Sequence, residues 1–242
     1  PMQLYQPLRR GEPTPCPYLP GRSFVSEFFL AGALSAAELT VFLAVGWRKF
    51  GPYFFRPCCP ECRQCIPLRV AADRFLPSTS QRRILRRNAD LQVSFGTLRY
   101  SEEAFHLYQA HGRERFEQPS DREGFVTSFY QPSCPALQLE LRLEGKLIGL
   151  GILDLASDGL SSVYFCFDPR HSRRNLGTFG ALQEIELTRQ LGMPWYYLGY
   201  FVPGSPRMAY KDHFRPRQHF DWASQCWQEV TAPPAPLLAA ER

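Results

Sequence analysis

With 242 residues, 44% of them hydrophobic and 21% charged, the chain has globular composition and enough length to bury one large core or two small ones. The most apolar stretch, Phe24 to Trp47, is interrupted by Ser, Glu and Gly before it reaches the roughly 20 apolar residues of a membrane helix, and no secretion signal follows Arg9-Arg10, so a cytoplasmic protein is expected. The net charge of +5 is modest but uneven: residues 48–88 hold ten Lys or Arg against Glu61 and Asp73, a local +8, and the rest of the chain sums to −3.

In chain order, Ser35-Ala36-Ala37-Glu38 is a capping box that opens an apolar helix through Val45, stopped by Gly46. Cys65 to Ala72 reads as a strand. A helix then opens near Ser78 or Ser80, with Arg82, Arg83, Arg86 and Arg87 on one stripe at i, i+1, i+4 and i+5. Leu91 to Tyr100 reads as a strand interrupted at Gly96, Ser101 begins a helix to about Arg115, and Ser120-Asp121-Arg122-Glu123 is a second capping box. From Ala136 the pattern changes to alternating leucines: strands over Ala136–Leu143, Lys146–Leu155 and Leu160–Phe167, turned at Glu144-Gly145 and Asp158-Gly159. A helix over Asn175–Leu191, a strand over Trp195–Val202 and a short helix over Ser205–His213 follow, and the Pro- and Ala-rich segment from Thr231 to Arg242 is expected to be a disordered tail. The implied class is α+β, with an N-terminal domain over residues 1–132 (core 14–130) and a C-terminal one over 133–230.

Four of the eight cysteines fall within Cys58 to Cys65. Cys59, Cys62 and Cys65 repeat at Cys-x-x-Cys spacing, which lets thiolates converge from a tight turn on zinc or an iron–sulfur cluster. Cys16, between prolines, is the nearest fourth thiol. A thiol-rich turn without metal is the plainer reading of the same spacing. Cys134, Cys166 and Cys226 sit among apolar residues and read as core thiols. Within the helix the arginine stripe carries no carboxylate at i±4, so it reads as a phosphate-binding face rather than a solvated one. Arg is also the side chain that grips a carboxylate with two parallel bonds, which makes Arg56, Arg69 or a member of the stripe a candidate for an acidic substrate.

The string Arg56-Pro57-x-Cys59-x-x-Cys62-x-x-Cys65-x-Pro67-x-Arg69, followed by Ser80-Gln81-Arg82-Arg83 and Arg87-Asn88-x-Asp90-Leu91, resembles the bacterial leucyl-tRNA:protein transferases, relatives of the eukaryotic arginyl-tRNA:protein transferases. Cys16-Pro17-Tyr18-Leu19-Pro20, Ser162 to Pro169, Leu176-Gly177-Thr178-Phe179, Tyr197-Leu198-Gly199-Tyr200, Met208-Ala209-Tyr210-Lys211 and Phe214-Arg215-Pro216 continue the resemblance in order. Phe201, Ser205 and Arg207 replace the family's Trp, Cys and Lys, and Glu114 to Pro119 lacks its His and Gly-Asp-Met run.

The resemblance implies a cysteine-bearing N-terminal domain followed by an acyltransferase-like (GNAT-type) mixed-sheet domain. It also implies transfer of leucine from leucyl-tRNA to proteins beginning with Asp or Glu, in the N-end rule pathway of protein degradation. The chemistry needs no cofactor, because the aminoacyl ester is already activated and an N-terminal amine, with a pKa near 7.7–8.0, is partly neutral at pH 7. Asp168, Tyr164, Tyr200 and Lys211 are the polar residues expected near the acyl centre, with Asp168 the first candidate for the base. Gln81, Arg82, Arg83, Arg86 and Arg87, together with Arg173, Arg174, Gly177 and Thr178 at the start of the long C-terminal helix, are expected to meet the tRNA. An arginyl donor, a coenzyme-A-dependent N-acyltransferase and a metal-stapled tRNA-binding module are the competing readings.

Overall fold

A computed structural model describes residues 1–115 and 121–237. The N-terminal part contains β1 (Gln3–Arg10), β2 (Thr14–Pro15), β3 (Ser23–Phe24), β4 (Ser26–Gly32), α1 (Ala36–Leu43), β5 (Arg48–Phe50), β6 (Tyr53–Pro57), β7 (Ile66–Ala71), α2 (Thr79–Arg87) and β8 (Gln92–Gly96). Then come α3 (Glu102–Arg115), α4 (Arg122–Phe129), β9 (Ala136–Leu143), β10 (Lys146–Leu155), β11 (Gly159–Phe167), α5 (Leu176–Gln190), β12 (Trp195–Phe201), α6 (Pro206–Ala209), β13 (Arg217–Asp221) and β14 (Cys226–Val230).

Two sheets dominate. A four-stranded antiparallel sheet, ordered β1-β4-β6-β5, carries α1, and an eight-stranded mixed sheet runs β14-β13-β7-β12-β11-β10-β9-β8. The large sheet crosses the domain boundary expected after residue 132, because β7 and β8 come from the first half of the chain. The physical reason is that β7 is almost wholly buried and needs a neighbour on each edge for its backbone groups; β12 and β13 supply them.

α5 packs on one face of the large sheet over Val70, Ile148, Leu160 and Tyr196. The other face meets two layers. Near β10 and β11, Phe105, Tyr108, Phe125 and Phe129 of α3 and α4 form an aromatic layer. Near β12, the small sheet and α1 supply Phe29, Leu39, Trp47 and Phe54, with Phe29 and Phe54 stacked at 4.7 Å. Lys49 of β5 and Asp154 of β10 close a buried ion pair at 2.9 Å across that seam.

The local signals explain most of the helices. α1 has the expected capping box at Ser35 and Glu38, and α2 has one formed by Ser78 and Gln81. α4 is capped by Asp121, whose carboxylate accepts from Gly124 N at 2.9 Å; Ser120, and the segment of residues 116–119 where the sequence departs from its relatives, lie outside the described residues. Cys134 and Cys166 are buried as expected, but Cys226 is exposed, because it sits on β14 at the edge of the large sheet. Residues 231–237 are not detached, in contrast to the tail expected from composition, and hydrogen bonds hold them to the body of the protein. No helix among the described residues is long and apolar enough to cross a membrane.

One core position is charged on paper. Glu184 of α5 is 1% exposed; its Oε1 accepts from the Tyr196 hydroxyl at 2.6 Å and its Oε2 has no partner. Gly151 on β10 makes room for it, since a Cβ there would stand 2.6 Å from Oε2. Burial pushes the carboxyl up to about 8, so it is a neutral acid at pH 7. Between the ordinary value of 4.5 and about 8, the folded chain keeps a proton that the unfolded chain has lost, so stability falls as pH rises through that window. The slope is about 1.4 kcal/mol per pH unit. Glu184→Gln keeps the shape without the titration, and urea unfolding at pH 5, 6.5 and 8 should show it progressively more stable than the parent. Identical slopes for both proteins would rule this out.

Candidate functional site

Three places gather the polar residues of interest. The first is a cavity of about 910 Å³ between α2, the start of α5, the segment around α6 and the tail. Four arginines line it, Arg83, Arg87, Arg173 and Arg215, and among the described residues no carboxylate lines its wall. The sequence assembles it through the end of α2: Arg87 donates to Arg173 O at 2.9 Å and Asn175 Oδ1 at 2.6 Å, and Asn88 Nδ2 donates to Arg174 O at 2.8 Å. Asn175, at φ +54°, makes no side-chain cap to α5, so the first N–H groups of a 15-residue helix stay open to an anion.

The second place is the splay of β11 and β12. These strands pair in parallel only over Gly159–Ser161 and Trp195–Tyr197; beyond that β11 stays with β10 and β12 with β7. Two cations meet at the divergence. Arg48 donates to Ser161 Oγ at 2.7 Å and to Ser162 O on β11, and Lys211 donates to Tyr200 O on β12 at 3.2 Å. Gly199, at φ +93°, lies between them: a Cβ there would be 3.4 Å from Lys211 Nζ and 3.5 Å from an Arg48 terminal nitrogen. Burial, with the neighbouring Arg48 guanidinium, lowers the Lys211 ammonium to about 7. The lysine is therefore close to half neutral at physiological pH.

The third place is a cleft of about 330 Å³ lined by Cys16, Cys58, Cys59, Cys62 and Cys65. Burial and then the thiols of Cys16, Cys59 and Cys62 push Cys65 up to about 12, and Cys58 is not among these neighbours. N–H groups point at three of the sulfurs: Leu19 N at Cys16, Val25 N at Cys59 and an Arg22 guanidinium nitrogen at Cys62, at 3.4, 3.3 and 3.7 Å. Among the described residues no group of three or more Cys, His, Asp or Glu side chains stands in metal-holding geometry. The donor chemistry still fits a thiophilic centre, since N–H donors directed at sulfur stabilise thiolate ligands.

The other candidates divide between the cavity and the framework. Gln81 and Thr178 reach the cavity wall, with Gln81 also tying α2 to His213 O at 3.1 Å. Gly177 stands beside it in the first turn of α5, and Arg82 and Arg86 are exposed on α2 but absent from the cavity wall. Arg174 pairs with Asp90 at 2.8 Å. Arg56 is bound to Glu27 and lies over Trp47, and Arg69 is held between Trp195 and Trp227 at 3.8 and 4.3 Å with Gln218 as acceptor.

The expected catalytic residues are likewise separated. Asp168 caps the 3-10 turn over Pro169–Arg174, and its bonds to Arg170 hold its pKa below the usual carboxylate range, which makes it a weak base. Tyr164 stacks on Phe129 at 4.8 Å in the aromatic layer. The Tyr200 hydroxyl donates to Gly46 O at 2.8 Å, toward the small sheet. Of the four, Lys211 donates at the splay, and the Tyr200 hydroxyl is near enough to Arg48 for the two to interact. Arg215 lies within the Phe214-Arg215-Pro216 stretch of the resemblance, whereas Arg48, the partner of Lys211 at the splay, carries no sequence signal of comparable strength. The one hint for Arg48 is an Arg-Lys pair set between Trp47 and Phe50.

The model of the arginine-tRNA-protein transferase N terminus matches residues 14–83, and that of the C terminus matches residues 103–221. The chain belongs to the arginine-tRNA-protein transferase family. Its relatives in that family include an aspartate/glutamate leucyltransferase of Marinobacter nauticus, 36% identical over 84% of this chain and 88% of its own length. One of Nitrobacter winogradskyi is 36% identical over 91% and 90%. The crystal structure of FemX superposes with a TM-score of 0.49 at 9% identity, over 82% of this chain and 80% of that one. The family models cover the cysteine turn, Arg48, Lys211 and part of the cavity wall, including Arg83, Arg173 and Arg215, while Arg87 and residues 234–237 lie outside the matched ranges; this arginine-tRNA-protein transferase family member is an aminoacyltransferase.

Proposed function

We propose that this enzyme moves leucine from leucyl-tRNA to the free α-amine of proteins that begin with Asp or Glu, marking them for N-end rule degradation. The observation that carries the reading is the cavity with four arginines, and no carboxylate among its described lining residues, over the open start of α5, a fit for the phosphates of a tRNA acceptor end. Its wall includes Tyr210, and the next residue, Lys211, stands at the splay, so the ester carbonyl would lie beside Gly199. The acceptor amine attacks that carbon, the amide C–N bond forms, and the C–O bond to the terminal ribose breaks. Neutral Lys211 takes the proton lost by the attacking nitrogen and returns it to the departing ribose oxygen. Arg48 is the fixed cation that faces the acidic first residue of the acceptor.

The test is transfer of radiolabelled leucine from leucyl-tRNA to peptides beginning with Asp, Glu, Ala or Lys, with arginyl-tRNA as a parallel donor and ribonuclease as a control. Label confined to the Asp and Glu peptides, and lost with ribonuclease, is the expected result. Label from arginyl-tRNA alone would overturn the choice of donor, and no label from either would overturn the reading.

Cys16, Cys59, Cys62 and Cys65 would hold zinc or an iron–sulfur cluster, joining the loop before β3 to the turn before β7. Four thiolates leave no open position, so such a centre stabilises the fold rather than entering the reaction. Metal analysis of the purified protein should give a stoichiometric metal content that falls in Cys59→Ser together with thermal stability. Protein that is fully active and metal-free would remove the assignment.

A further inference from the structure

The segment from Thr231 to Leu237 lies beyond residue 221, where the family match ends, yet it is tied down at three points, with a fourth bond at Val230 just before it. Arg215 donates to Thr231 O at 3.3 Å, and His213 Nε2 and Ala235 O are 2.9 Å apart. Arg217, 1% exposed and paired with Asp212 at 2.5 Å, donates to Val230 O at 3.3 Å and to Ala232 O at 3.0 Å. A buried ion pair thus points its remaining donors at the carbonyls of an otherwise irregular strand of chain. The result is a strap whose Pro234 and Leu237 turn inward, half-buried, onto the arginine cavity.

The cavity therefore has two chemically different sides. α2 and the start of α5 present Arg83, Arg87 and Arg173, and the strap presents Pro234 and Leu237. A nucleotide has the same division: phosphates need cations, and a base has an apolar face that packs on any flat apolar surface. Arginines alone would hold the phosphates without fixing the base, leaving the ribose that carries the ester free to swing.

We propose that the strap is the base-side wall of the donor site, with Pro234 and Leu237 seating the terminal nucleoside of the tRNA so that its ester faces the splay. The proposal rests on the leucyl-transfer reading. The test is the double variant Pro234→Ser/Leu237→Ser in the full chain, which keeps the backbone carbonyls that anchor the strap. The KM for leucyl-tRNA should rise about tenfold, in line with the usual contribution of one base contact, and kcat should fall as the ester loses its orientation. The inhibition constant of the trinucleotide CCA, used as a competitor, should rise by the same factor.

An unchanged KM and inhibition constant would overturn the proposal and leave the strap a passive cover. A fall in both would overturn it in the other direction, making the strap an obstruction. A parent that binds the trinucleotide but transfers no leucine would refute the transfer reading alone, and one that does neither would remove both.

Discussion

Lys211→Met is expected to lower kcat for leucyl transfer by about 10²- to 10³-fold, the usual contribution of a positioned acid–base group, without weakening the fold. The fold should not suffer because the folded environment already disfavours the ammonium: burial and Arg48 hold it near pH 7. With its folded pKa lowered from 10.5 to about 7, the residue reduces stability most below pH 7 and progressively less as pH rises through that window. An apolar side chain of similar length removes that cost. The parent enzyme should gain kcat/KM with rising pH through an apparent pKa near 7, as the lysine loses its proton, and the Met variant should keep only the rise near 7.7–8.0 that comes from the acceptor amine. Lys211→Arg separates charge from proton transfer, since a guanidinium does not titrate in this range. An Arg variant as active as the parent would show that the position supplies a positive charge and not a base.

The second large effect lies in the arginine cavity. Arg83→Glu combined with Arg87→Glu should weaken leucyl-tRNA binding by at least about 100-fold near 0.1 M salt, since each reversal removes a cation from a phosphate and adds repulsion. The slope of log affinity against log salt should fall by about 2, close to 0.9 for each phosphate that is no longer neutralised. Arg82→Glu with Arg86→Glu is the matched control, because those side chains share the helix but do not line the cavity. Arg87 also holds Asn175 at 2.6 Å, so Arg83→Glu alone is the cleaner single variant. If the control pair loses more affinity than the cavity pair, the tRNA backbone runs along the outer side of α2.

The helices with strong caps are legible from sequence because a capping box is a local signal, complete within four residues. Ser35 with Glu38 and Ser78 with Gln81 both form such boxes. The leucine alternation of β9 and the long buried run of β10 are legible for the same reason. What sequence does not yield is long-range. β1, β4, β5 and β6 are short or irregular strands whose burial depends on one another, and β13 and β14 owe their place to β7, about 150 residues earlier.

The candidate site divides along the same line. Arg83, Arg87, Arg173 and Thr178 can be named from sequence because a charge row and a helix start are local patterns. Arg56 and Arg69 pass for substrate-binding residues there because their partners Glu27, Trp195 and Trp227 are remote in sequence. Lys211 lies within a recognisable motif, but Arg48 joins it only through the fold. The strap is invisible to composition, since a Pro- and Ala-rich segment reads the same whether or not a buried arginine waits for its carbonyls.

β7 begins one residue after Cys65 and runs directly to the splay, where Leu68 pairs with Gly199 and Pro67 with Tyr200. The thiol turn and the splay are thus two ends of one short, stiff rod. β12 follows β7 through a register shift between Tyr197 and Gly199, so the two strands meet at the splay with one irregularity between them. The chain also cannot be divided into a sensing half and a reacting half, because cutting it anywhere between residues 72 and 194 would part β7 from the strand that holds its edge.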